Sequence, residues 1–139
     1  MIQSQYILDI FDLLFDDHKA SQLLRKQVEY LSVGDTEHTG VGLIINFITD
    51  EGIEDFRVPK DLLISGTDSK ETLEMVNGLE IINESQNILA DATVHLKEGL
   101  IKTLEIWNKG GDKYPLTDPQ HYSLHQSWRV ENEKRHLER

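Results

Sequence analysis

The sequence predicts an α+β domain: an N-terminal helix or kinked helix pair packed on one face of a mostly antiparallel, meander-like sheet of about four to six strands. Three observations predict it. Apolar residues recur at helical spacing from Ile7 to Leu31, a β-branched run occupies 41–48, and strict apolar/polar alternation covers 88–97 ahead of a second strand-like stretch.

Ile7, Ile10, Phe11, Leu14 and Phe15 stand at i, i+3, i+4, i+7 and i+8, one stripe of a helix. Ala20, Leu23, Leu24, Val28 and Leu31 form a second helical set, and at about 100° per residue its stripe is rotated by roughly a third of a turn. One straight helix cannot carry both. A break is expected near Phe15-Asp16-Asp17-His18, with Asp16 or Asp17 capping the second helix. The same three polar residues could form an acidic metal cluster, but Asp commonly serves as a cap.

After Gly34 the pattern changes. Val41 to Ile48 is continuously apolar, which predicts a strand central in the sheet and covered on both faces. Asp50-Glu51-Gly52 marks a turn, and Phe56-Arg57-Val58 offers a short antiparallel return ended by Pro59. From Lys60 to Asn77 the reading stays open. Asp68 to Glu71 matches a capping box and argues a helix, while Leu73 to Val76 could begin a strand.

Gly78 to Asn83 reads as a strand, followed by a polar turn at Glu84 to Asn87. Ile88, Ala90, Ala92, Val94 and Leu96 then alternate with Leu89, Asp91, Thr93, His95 and Lys97, and a further strand runs from Leu100 to Asn108. A two-residue turn at Glu98-Gly99 would oppose Ala92 to Glu105. A three-residue loop, Lys97-Glu98-Gly99 with Gly99 left-handed, opposes Leu96 to Leu100, Ala92 to Leu104 and Ala90 to Ile106, and is preferred; Lys102 is its awkward member. Tyr122 to His125 suggests a short edge strand. Residues 1–128 are expected to form a single domain, with 129–139 a charged tail, frayed or helical only in context.

At 139 residues the chain can bury roughly two-thirds of its unfolded surface. With 38% hydrophobic and 28% charged residues it is too apolar for a wholly disordered chain. Lacking cysteine, it has neither a disulfide framework nor a thiolate zinc site, which fits the cytosol. Met1 to Tyr6 lack the basic n-region of a signal peptide, and no apolar run is long enough to span a membrane. The 25 acidic against 14 basic residues give a net charge of −11. A field of that sign repels nucleic acid and anionic membranes and steers in a basic partner.

In the preferred register the outer face of the hairpin sets Asp91 opposite Glu105, with His95 nearby. Facing carboxylates repel, which would raise one pKa and supply an acid–base pair, or with His95 a ligand cluster of Asp91, His95 and Glu105. The competing reading is a solvated or covered face neutralised by Lys97, Lys102 or Arg129. His121 and His125 have metal-ligand spacing only on a helix, and on a strand they would stand about 13 Å apart. Gly40-Val41-Gly42 and Gly110-Gly111 are too short for phosphate loops, and no nucleophile elbow is present, so neither metal nor cofactor is expected. Trp107, Tyr114, Tyr122 and Trp128 lie late in the chain beside turns, where aromatics either anchor an interface or close a core.

Thr39 to Phe47 after a helix carrying Leu24-Arg25-Lys26-Gln27, with Gly78-Leu79-Glu80 and a hairpin ending Leu104-Glu105-Ile106-Trp107 before a Gly/Tyr-Pro turn, resembles a group of small uncharacterised bacterial α+β proteins over about residues 20–125. The resemblance implies a helix-plus-sheet fold and brings no catalytic residues. In size, acidity and lack of motifs the chain also looks like the immunity proteins that bacteria pair with secreted toxins. The resulting expectation is a non-catalytic protein-binding module, an immunity-type inhibitor of a basic toxin domain, acting through Asp91, Glu105, Trp107 and Tyr114. The alternative is a small-molecule-binding or hydrolytic domain whose cleft lies between sheet and helices and uses Asp91, His95 and Glu105. A homodimer joined through an edge strand is the third option.

Overall fold

The structure, a computed structural model, describes residues 1–16, 18–65, 72–127 and 134–139, with side chains placed outside 64–65 and 72–73. Helix α1 spans Gln5–Phe15, and Ser4 caps it: its Oγ accepts the Ile7 N–H at 3.1 Å. The chain breaks after Phe15 as the rotated stripes require, and α2 follows over Ser21–Val28. Neither expected aspartate is seen capping it. Ala20 is the N-cap, and its N–H is taken by His18 Nδ1 at 3.0 Å. Asp16 instead accepts from Gln126, 3.2 Å away; Asp17 lies outside the described residues.

All strands pair antiparallel, and both helices pack on one face of the main sheet. The strands are β1 (Leu31–His38), β2 (Gly42–Thr49), β3 (Ile64–Ser65), β4 (Thr72–Leu73), β5 (Met75–Asn83), β6 (Ile88–Lys97), β7 (Leu100–Asn108), β8 (Ser123–Gln126) and β9 (His136–Glu138). Seven form one sheet in the order β1-β2-β7-β6-β5-β8-β9, and β3 with β4 makes a small separate pair. The sheet is wider than expected because both ends add strands that the apolar pattern hides.

At one end β1 begins with Leu31, which is fully buried and starts a strand where helical spacing placed it in α2. A bulge between Val33 and Thr36 then destroys any alternation. With β1 outside it, β2 is second from the edge, not central. Its inward residues Leu43 and Ile45 are buried, while Ile48 is 59% exposed because no layer of the described residues covers the other face. At the opposite end β8 is flanked by β5 and β9, so it is not an edge strand, and the charged tail supplies the edge itself.

The expected return strand at Phe56-Arg57-Val58 is absent. Gly52, at φ 101°, turns the chain into a 3-10 turn at Ile53–Phe56 whose Ile53 is buried, and the Tyr30 and Phe56 rings pack 5.5 Å apart. A second such turn at Lys60–Leu62 leads into the small β3–β4 pair, and the expected capping box at Asp68 to Glu71 lies outside the described residues.

Strands β6 and β7 keep their predicted bounds, but their register differs from the preferred one. Glu98 (φ 52°) and Gly99 (φ 79°) are both left-handed and form a two-residue turn, setting Lys97 against Leu100 and Leu96 against Ile101. A bulge at Lys102 then shifts the pairing, so that Val94 faces Leu104 and Ala92 faces Ile106. The extra residue restores apolar-to-apolar matching and turns Lys102 outward. Ala92, Val94 and Leu104 are fully buried, so the inward face of this hairpin is the predicted one.

Candidate functional site

Because the helices occupy one face of the sheet, no layer of the described residues covers the other, and strand register decides which side chains meet on it. One row crosses six strands: Gly42, Trp107, Asp91, Glu80, His125 and His136 stand opposite one another in turn. A neighbouring row holds Ile44, Glu105 and Thr93, and another Ile82 and Leu89. Trp107 is 55% exposed and Leu89 43%.

The predicted carboxylate pair of Asp91 and Glu105 is not formed. The Lys102 bulge places Asp91 opposite Trp107 and Glu105 opposite Thr93. The acid that does face Asp91 is Glu80 of β5, and the repulsion between them is relieved by Lys109, whose Nζ lies 2.6 Å from Glu80 and 3.0 Å from Asp91. The hydrogen bond to Glu80, reinforced by that to Asp91, raises the Lys109 pKa against the opposing effect of burial. The ammonium therefore stays charged. Asn77, Gly78, Thr93 and Ser127 complete a hollow of about 330 Å³ around this trio.

His95 meets Glu105 instead, Nε2 to Oε1 at 3.3 Å, with both side chains well exposed. Thus Asp91, His95 and Glu105 line no common cleft: one carboxylate is committed to lysine and the other to histidine.

Tyr114, expected on the binding surface, is buried at 5% exposure. Its hydroxyl is hydrogen-bonded to that of Tyr6, and burial foremost pushes both phenols well above their usual pKa. The buried Tyr114 ring is held to Tyr6 of α1 and so closes the core. Tyr122 does likewise, donating to Asp9 at 2.6 Å; Trp128 lies outside the described residues. His121 offers its carbonyl to Asn83, and His125 faces His136 with ring centroids 5.8 Å apart. Among the described residues no group of three or more His, Cys, Asp or Glu is placed to hold a metal.

The outer face thus keeps Asp91, Glu105 and Trp107 from the predicted set, and adds Glu80 and Lys109. Those two could be found only by pairing β5 with β6 correctly, since no local motif marks them. Comparison with protein-family models, curated proteins and solved structures finds no match.

Proposed function

We propose that the chain is a non-catalytic protein-binding module whose open sheet face docks a basic protein, acting as an immunity-type inhibitor that occludes a cationic toxin domain in the cytosol. The observation that carries this reading is the character of that face: an exposed Trp107 and Leu89 set among Glu80, Asp91 and Glu105. Aromatic anchors ringed by charge are the usual makings of an interface hot spot. The net charge of −11 would speed encounter with a partner of opposite sign. Among the described residues no helix is long and apolar enough to cross a membrane.

The test is a titration of the purified protein with the basic domain of a toxin encoded beside it, read by Trp107 fluorescence in a Trp128→Phe background. Saturable one-to-one binding is expected, weakening at least about tenfold as salt rises from 50 to 500 mM. Trp107→Ala should cost about 2 kcal/mol of binding while leaving the circular dichroism spectrum unchanged. Absence of any basic toxin product beside the gene, or binding indifferent to both salt and Trp107, would sink the reading.

A further inference from the structure

On the helix side of the sheet, away from Trp107, the covering layer stops short. The Phe11 ring of α1 packs on Phe47 of β2 with centroids 5.6 Å apart, whereas inward-facing Val33 of β1 remains 43% exposed. The gap is closed below by the segment 114–118, and what remains is a hollow of about 310 Å³. Its floor is Ile7, Leu43, Ile45 and Tyr114, each at most 5% exposed, so it opens directly onto the core. Its rim carries Val33 and Leu116, the latter 76% exposed, alongside the polar Thr36, His38 and Thr117.

One carboxylate, Asp118, lines this hollow, with His38 the other titratable side chain there besides the Tyr114 phenol. Asp118 accepts a hydrogen bond from Ser4 Oγ at 2.5 Å, and among the described residues no lysine or arginine pairs with it. The phenols beside it are held protonated and neutral, by burial foremost and in part by the Asp118 charge itself, so they add no second negative charge. An anion entering here would meet the Asp118 charge with no lysine or arginine of the described residues paired to offset it. A cation would find a carboxylate with a free oxygen at the edge of an apolar floor.

We infer that this hollow is a binding site for a small amphipathic amine, its hydrocarbon body on Ile7, Leu43 and Ile45 and its ammonium on Asp118. The volume is at the lower end for ligand pockets, which limits the occupant to a few carbons beyond the charged head. This site is separate from the open sheet face and does not depend on what docks there.

The probes are n-hexylamine and hexanoate, matched in body and opposite in charge, followed by methyl NMR of the full chain. Hexylamine should shift the Ile7, Leu43, Ile45 and Leu116 methyl signals saturably, and hexanoate should not. Asp118→Asn, which retains an acceptor for Ser4, should weaken hexylamine binding about tenfold or more while other resonances stay in place. Val33→Trp, a change at the rim, should abolish the shifts. Equal binding of hexanoate, indifference to Asp118→Asn, or shifts confined to other methyl groups would overturn the inference. So would a Gly-Lys-Gly peptide that binds at least as tightly as the free amine, since the site would then fit a partner's lysine side chain.

Discussion

Gln27 on α2 is completely buried, yet every polar atom of its side chain is used. Its Nε2 donates to the carbonyls of Phe56 and Gly99 at 2.8 and 2.9 Å, and its Oε1 accepts the Ile101 N–H at 2.8 Å. One amide thereby fastens helix, 3-10 turn and hairpin. Gln27→Leu preserves volume but strands these backbone groups, and a loss of about 2 to 4 kcal/mol is expected from urea unfolding with an unchanged m-value. Asp9 is a second such residue, nearly buried and receiving hydrogen bonds from Gln5, Tyr122 and Arg139. Burial alone would raise its pKa, but the bonds from Arg139 and Tyr122 win and hold it below the ordinary 3.8. A lowered folded pKa means stability fully present above 3.8 and lost as pH falls through the folded value. Asp9→Asn should therefore be less stable than the parent at pH 7, and the gap in melting temperature should begin to close only below about pH 4. A gap constant down to pH 2 would contradict this.

The β6–β7 turn shows the same specificity in backbone form. Glu98 is left-handed without being glycine or asparagine, a strained choice, so Glu98→Asn should stabilise the protein by about 0.5 to 1 kcal/mol in chemical unfolding. Gly99→Ala should do the reverse and more strongly, because at φ 79° its Cβ would lie 2.4 Å from the Val58 carbonyl oxygen. The strands flanking this turn were legible from sequence, as were the helix break and the buried face, because each rests on an apolar period. The register was not. A bulge at Lys102 is one extra residue that leaves the alternation on either side intact, so the pattern cannot locate it. Strands β1 and β9 escaped for a related reason: edge strands are held chiefly by backbone hydrogen bonds, and polar sequences such as His136–Glu138 carry no signature of that. Of the candidate residues, Asp91, Glu105 and Trp107 lie on the expected face, whereas Tyr114 followed its turn inward and Glu80 joined through pairing.

At the scale of the whole molecule, a net charge of −11 sits on a chain whose basic residues are partly committed to ion pairs, Lys109 with two acids and Arg25 with Asp12 among them. Asp50, Glu51, Glu54 and Asp55 crowd the turn after β2. Diffuse self-repulsion should outweigh these exposed pairs, so the melting temperature should rise as sodium chloride goes from about 0.01 to 1 M and the Debye length shrinks from about 30 to 3 Å. A fall over that range would show that local pairs dominate. The bond from Arg139 to Asp9 spans 130 residues and that from Tyr122 spans 113. During synthesis on the ribosome the first helix emerges long before either group that ligates its buried acid. A nascent chain halted short of Tyr122 would therefore lack both donors and would have to leave that carboxylate to water.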